Sequence, residues 1–240
     1  MRRLAARDGM RQERSMNPHR FRLFGITLVA LPSGALWWEE AGLLCVSDLH
    51  LGKCLRAARG GGAVLPPYET VETLTRLDAD LAATGPATVV CLGDSFDDDL
   101  AAGEIAEDTA LWLARMQAGR RWIWIVGNHD PGRGAPGGTH LAEHREGPLV
   151  FRHMARAGET GDVTGHYHPK ATVAGRAGRV TRACFLHDGA RAILPAYGTY
   201  AGGLRWTDPV FARLLGPAAR AILTGPVPLE LPLPGRADAA

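Results

Sequence analysis

Residues 43–50 read Leu43-Leu44-Cys45-Val46-Ser47-Asp48-Leu49-His50, an uncharged run of strand length over 43–47 followed by Asp48 and His50. A short apolar run bounded in this way reads as a buried strand. Side chains two apart in an extended segment point the same way, so Asp48 and His50 share one side of the strand end. The arrangement recurs twice. Thr88–Leu92 is closed by Gly93-Asp94, and 122–126 is closed by Gly127-Asn128-His129-Asp130.

Helical patterns fill the intervals. Val71, Leu74, Leu77 and Leu81 fall at helical spacing over 68–83, behind Pro66-Pro67, and Ile105, Leu111, Trp112 and Met116 mark a second helix over 104–118. Upstream, 26–31 and Leu36–Trp38 read as strands around Pro32-Ser33-Gly34. This alternation predicts an α/β sheet with covering helices. The second half differs: 163–164, 171–174, 180–185 and 190–194 are short strands divided by Gly-containing turns. They predict a second, more antiparallel sheet stacked on the first. With no linker or repeat between the halves, one domain is expected over 20–224, followed by a Pro/Gly/Ala-rich extended tail over 225–240. Residues 1–19 carry Arg2, Arg3, Arg7, Arg11 and Arg14 with little apolar content. They read as a disordered basic leader or as an over-long start before Met10 or Met16, with a nucleic-acid-binding arm as the alternative.

The 240 residues, 46% apolar and 22% charged, suit a soluble globular chain with a substantial core. A net charge of +2 neither argues for nor excludes a nucleic-acid partner. Cys45, Cys54, Cys91 and Cys184 show no paired spacing and read as structural thiols of a reducing cytosol. No apolar run approaches the ~20 residues of a membrane span, and no secretory signal is evident, so a cytoplasmic location without a membrane partner is expected.

Strand ends along one edge of an α/β sheet form ligand crevices. Later, Gly165-His166-Tyr167-His168-Pro169 sets alternate histidines on one side of a further strand end. Each block alone is a weak signal. Their succession after apolar strands points to one site, and carboxylate, imidazole and amide-oxygen donors suit Mn, Fe or Zn better than soft metals.

In order and spacing, the chain over about 43–169 resembles the calcineurin-like metallophosphoesterases. The shared blocks are Asp48-Leu49-His50, Gly93-Asp94 through Asp97, Gly127-Asn128-His129-Asp130, the lone His153, and Gly165-His166-Tyr167-His168. Further stretches are similar to one bacterial subgroup, the ligase-associated DNA damage response endonucleases. These are Leu51-Gly52-Lys53, Leu65-Pro66-Pro67-Tyr68, Cys91 to Phe96, Leu194-Pro195-Ala196-Tyr197-Gly198 and Gly202-Gly203-Leu204, which extend the likeness to about 23–215.

The resemblance implies an α/β four-layer sandwich of two stacked mixed β-sheets flanked by helices. It also implies two divalent ions, Mn first, with Fe or Zn as alternatives. Asp48, His50 and His168 would hold one ion, Asp94 would bridge, and Asn128, His153 and His166 would complete the second site. His129 would protonate or stabilise the leaving oxygen, its alternative role being to position ligands. His153 rests mainly on its place before Gly165-His166. Asp97 and Asp130 are expected behind the ligands. Lys53, Arg56 and Arg59 would either grip substrate phosphates or form a solvated loop. Beyond Asp97, Asp98-Asp99 reads as a solvated turn. Tyr197, Tyr200 and Gly202-Gly203 would shape the cleft wall or serve sheet and turn, and His140, His144 and His187 receive no role.

The implied activity is metal-dependent hydrolysis of phosphodiesters, as a DNA endonuclease of DNA repair, with DNA ligase, helicase and exonuclease as functional neighbours. A phosphodiesterase or phosphatase on a small phosphorylated molecule would use the same core. A metal-free binding scaffold is a third reading, opposed by the presence of every ligand position and of His129.

Overall fold

In the computed structural model, which describes residues 17–59, 68–98, 100, 103, 105–129, 136–175 and 178–235, the three apolar runs lie side by side. They form parallel strands β4 (Leu43–Val46), β5 (Thr88–Leu92) and β6 (Arg121–Ile125). Parallel neighbours need crossovers. Helices α1 (Lys53–Arg59) and α2 (Glu69–Thr84) lie between β4 and β5, and α3 (Glu107–Gln117) lies between β5 and β6. Before them runs an antiparallel meander of β1 (His19–Leu23), β2 (Ile26–Ala30) and β3 (Leu36–Trp38), and parallel β7 (Thr139–Leu141) closes the other edge. The resulting sheet has seven strands in sequence order.

The remaining strands form a second mixed sheet. They are β8 (Glu143–Glu146), β9 (Leu149–Arg152), β10 (Asp162–Thr164), β11 (Lys170–Gly175), β12 (Gly178–His187), β13 (Arg191–Ile193), β14 (Arg220–Leu223) and β15 (Leu229–Pro232). Their order is β15-β14-β12-β13-β10-β9-β8, with β11 paired to β12 off this path. The β9–β10 and β10–β13 pairs are parallel and the rest antiparallel. Helix α4 (Pro209–Leu214) starts at Asp208, whose carboxylate accepts from the Val210 amide.

Side-chain parity builds the layers. Leu43, Cys45, Val90, Leu92, Ile123 and Ile125 face the second sheet and meet Phe151, Val163, Phe185, Ala192 and Ile222. Their neighbours Leu44, Val46, Val89, Cys91, Trp122 and Trp124 face outward against Leu74, Leu77 and Leu81 of α2 and Leu113 and Met116 of α3. Cys184, Leu186, Ile193 and Ala221 form the outer face of the second sheet and pack on Phe211 of α4. The order is helix, sheet, sheet, helix, so β4 to β6 are apolar on both faces, as their sequence required. Phe151 is fully buried in the inner layer, and truncating such a residue to Ala costs about 3–5 kcal/mol.

The ends depart from the sequence reading. His19, assigned to the leader, opens β1, where Phe21 and Leu23 turn inward while Arg20 and Arg22 stay exposed. The segment 225–240, assigned to an extended tail, supplies β15, whose Leu231 packs on the outer core. The first sixteen residues, Leu65, Pro66, Pro67, Asp99, Glu104, Asp130 and 236–240 lie outside the described residues. Among those described, no helix is long and apolar enough to cross a membrane.

Candidate metal centre

The three parallel strands release the chain at one edge of the first sheet, where their terminal residues are locked together. The His50 amide donates to the Asp94 carbonyl at 2.9 Å, the Asp48 amide to the Gly93 carbonyl at 3.3 Å, and the His129 amide to Asp94 Oδ1 at 2.9 Å. The second sheet joins from above. The His166 amide donates to Asp48 Oδ2 at 3.0 Å, and the Gly198 amide to the Asp48 carbonyl at 3.0 Å.

Two donor groups result: Asp48, His50 and His168, and Asp94, His153 and His166, with the ligand atoms of each within 4.8 Å of one another. Asn128 Oδ1 lies 2.9 Å from His153 Nε2 and so borders the second group. All seven sequence-nominated metal residues therefore sit at this edge. Asp48, His50, Asp94 and His153 are buried, His166 and His168 are half-buried, and Asn128 is exposed.

The backbone is strained where these side chains are presented. Seven non-glycine residues among those described have positive φ, and five of them are Asp48 (51°), His50 (46°), Asp94 (45°), His166 (70°) and His168 (45°). Such conformations cost of order 1–3 kcal/mol each and persist only where surrounding contacts impose them. Close packing imposes them here. A Cβ on Gly93 would meet His153 Nδ1 at 2.6 Å, and one on Gly165 would meet Asp48 Oδ2 at 2.5 Å. No side chain fits at either place.

Hydrogen bonds orient the imidazoles. His153 Nδ1 lies 2.7 Å from the Leu92 carbonyl and donates to it, which turns Nε2 inward. Nε2 faces Asp94 Oδ2 at 3.4 Å and His166 Nδ1 at 3.2 Å. His50 Nδ1 is 3.0 Å from Asp97 Oδ1, so its Nε2 turns to His168 Nε2 at 3.5 Å. Carboxylate and carbonyl partners behind metal-ligating imidazoles fix tautomer and orientation in this way. His168 Nε2 is 3.1 Å from Asp48 Oδ1, an oxygen that is buried without a hydrogen-bond partner. Lone pairs crowded this closely repel unless a cation lies among them, and the donor set fits a hard or borderline divalent ion.

The electrostatics are mutual. Burial alone would push the Asp94 carboxyl up, but the His153 hydrogen bond and charge, with the His129 amide, hold it well below the usual carboxylate range. Burial pulls His153 down, and the hydrogen bond to Asp94 with the charges of Asp48 and Asp94 reverses that and raises it. Burial and the neighbouring His153 lower His166.

Around this centre, the half-buried His129 has its ring 5.6 Å from that of His50 and its Nδ1 3.4 Å from Arg56 Nη1. Arg56 also donates to Asp97 Oδ2 at 3.3 Å. Lys53, Arg56 and Arg59 thus lie on a helix, α1, and not in the solvated loop that was one of the two sequence readings. Arg59 pairs with Asp98. Tyr197 is largely buried, with its hydroxyl donating to Asp80 Oδ2 of α2 at 2.8 Å, and with Tyr200 and Gly202 it lines a cavity beside His168. His144 and His187 pair elsewhere, with Glu146 and Glu230, and His140 lies on β7. Sequence reasoning missed the backbone partners, the Leu92 carbonyl and the His166 amide. It also missed Ser47, whose hydroxyl donates to Asp48. Nothing in residue type announces these contacts.

Residues 42–199 match the family model described as calcineurin-like phosphoesterase. Among solved structures, the chain is similar to the crystal structure of Pseudomonas putida nuclease MPE, with 28% sequence identity and a TM-score of 0.68, covering 89% of this chain and 100% of that one. Comparison with curated proteins finds no match.

Proposed function

Because the chain belongs to the calcineurin-like phosphoesterase family, we propose that it hydrolyses phosphodiester bonds of DNA with two divalent ions. Asp48, His50 and His168 would hold one ion, Asn128, His153 and His166 the other, and Asp94 would serve both. The convergence of two lone-pair groups on one strained sheet edge carries this reading. The similarity to a nuclease supports a nucleic-acid substrate. Mn leads among the ions, followed by Fe and Zn. The DNA-repair setting and the association with ligase, helicase and exonuclease rest on the sequence resemblance. Four cysteines outside any disulfide suit a reducing cytosol.

Two divalent ions held there would supply Lewis-acid polarisation and a water acidic enough to attack at neutral pH. The chain supplies the positioning. Asp94 follows the middle strand of the three, between the donors that follow β4 and those that follow β6, so its negative charge serves both ions and offsets their repulsion. Asp97 and the Leu92 carbonyl hold His50 and His153 in the tautomers that turn Nε2 inward. When His129 Nδ1 accepts from Arg56, the ring proton resides on Nε2, where it is available to the leaving oxygen.

The test compares a single-stranded oligonucleotide with a small chromogenic diester, each with Mn and with chelator. Cleavage of both with Mn and of neither with chelator is expected. Hydrolysis of the diester with intact oligonucleotide moves the assignment to small phosphorylated molecules. His129→Ala should keep its metal and lose about 10²–10⁴-fold on substrates with poor leaving groups, and much less on activated ones. Equal losses on both would remove His129 from acid catalysis.

A further inference from the structure

We infer that the groove beside His168 seats one nucleotide of a single strand next to the scissile bond, its phosphate on Lys170 and Arg182 and its base on Tyr200. This rests on the nuclease reading above and specifies how the polymer is held.

A cavity of about 470 Å³ adjoins His168, within the range of about 300–1,000 Å³ typical of ligand sites. Its charged lining is Arg76, Lys170 and Arg182 against one carboxylate, Glu72. Each cation is fixed by a neutral acceptor. Lys170 Nζ donates to the Ala201 carbonyl at 2.9 Å, Arg182 Nη1 to the Thr224 carbonyl at 3.1 Å, and Arg76 to the Tyr197 carbonyl. Carbonyls hold these side chains in place without cancelling their charge, and none of the three forms an ion pair among the described residues. Arg76 lies one helical turn from Glu72 and stacks on the Tyr197 ring at 4.7 Å, so it is already engaged. Lys170 and Arg182 keep their charge for a ligand. An anion suits them, and fixed donors beside a metal centre suit a phosphate.

The aromatic residue selects the rest of the ligand. Tyr200 lines the same cavity, is 45% exposed, and has φ of 62°. A bulky residue in the left-handed region is unfavourable, and here burial does not compensate. An exposed aromatic face beside phosphate-binding cations is the stacking platform of single-strand binders. A duplex keeps its bases stacked on each other and has none to offer this ring. The 198–206 segment is pinned in place: the Lys170 amide donates to the Leu204 carbonyl at 2.8 Å, and the Trp206 amide to the Lys170 carbonyl at 2.9 Å.

The experiment compares wild type with the double variant Lys170→Gln/Arg182→Gln, with Tyr200→Ala and with Gly202→Trp. A Cβ at Gly202 meets nothing within 4 Å, so a large side chain there obstructs the groove without removing a contact. Each is assayed with Mn on a labelled oligothymidylate and on bis(p-nitrophenyl) phosphate, which has no flanking nucleotide. With base stacking worth about 1–3 kcal/mol, each variant should lose about tenfold or more in kcat/KM on the oligonucleotide, well beyond its loss on the diester. In chelator, anisotropy of the labelled strand should give the double variant a salt dependence shallower by about 0.7, the contribution of one phosphate contact. Lys170→Arg/Arg182→Lys should restore that slope. The inference is overturned if the oligonucleotide is cut at the wild-type rate by the double variant and by Gly202→Trp. Equal losses on both substrates also overturn it, since they mark a structural role. A wild type that hydrolyses the diester and spares the oligonucleotide removes the nuclease reading, and this inference falls with it.

Discussion

Asp162 and Asp48 are both fully buried carboxylates, and one oxygen of each lacks a hydrogen-bond partner. Bond counts therefore do not separate them; the charge of their neighbours does. Asp162 lies opposite Arg191 in the regular parallel pairing of β10 and β13 and accepts from Arg191 Nε at 2.7 Å. The guanidinium spends three more donors on the carbonyls of Leu214, Arg156 and Glu159. Asp48 is held in the left-handed region, and its neighbours are Ser47, the His166 amide and the imidazoles of His168 and His153. One carboxylate has a fixed cation beside it within the chain. The other has two neutral donors, Ser47 and the His166 amide, on one oxygen, and its remaining oxygen faces imidazoles with no guanidinium or ammonium beside it. A buried charge whose partner is built in belongs to the scaffold, whereas one whose partner must come from outside marks a binding site.

The largest effect should come from Asp94→Asn, which keeps shape and removes the charge between the two donor groups. Metal ions contribute several kcal/mol of charge stabilisation, at tenfold per 1.36 kcal/mol, so turnover should fall about 10³-fold or more. Metal content of the purified protein should fall with it, and near-normal rates would break the assignment. On the scaffold side, Arg191→Met leaves Asp162 buried without its cation, at a cost of about 3–5 kcal/mol. At about 2–4 °C per kcal/mol, thermal denaturation should occur roughly 6–20 °C lower. Asp48→Asn in chelator should do the reverse and leave the Tm equal or higher, because it removes a charge with no built-in partner. Equal destabilisation by both would erase the distinction. The smallest effect should be that of Asp97→Asn, which loosens His50 without touching the ions. Metal affinity, read by calorimetric titration, should fall about 10–100-fold while the fold is kept. An unchanged affinity would show that Asp97 does not orient His50.

Legibility in the sequence followed burial. The strands β4, β5 and β6 were readable because both faces are covered, so beyond the leading Thr88 and Arg121 their residues are apolar without interruption. The strand β8, with its Glu143-His144-Arg145-Glu146, was not, because it forms one edge of its sheet and carries charges on a partly solvated face. In β1 the alternation of Phe21 and Leu23 with Arg20 and Arg22 was present but not taken as a strand, and its first residue, His19, was placed in the basic leader. Strand β15 was hidden by Pro232 and the Pro/Gly-rich composition around it. The candidate metal residues were legible because carboxylates and imidazoles have few reasons to follow apolar strands in succession. The apparatus that aims them was not, because the Leu92 carbonyl, the His166 amide and the left-handed conformation of Asp94 are backbone features, invisible in side-chain identity. Arg56 reaches His129 from seventy-three residues away, a proximity that the folded helix α1 creates and sequence spacing does not encode.

The central claim is that two cations complete this edge of the sheet. Anomalous diffraction at the Mn absorption edge, on crystals grown with Mn, tests it most directly. The expected map has two peaks about 3.5–4 Å apart, one within bonding distance of Asp48, His50 and His168 and one of Asn128, His153 and His166, with Asp94 between them. A single peak, or two peaks that share no carboxylate, would contradict the account.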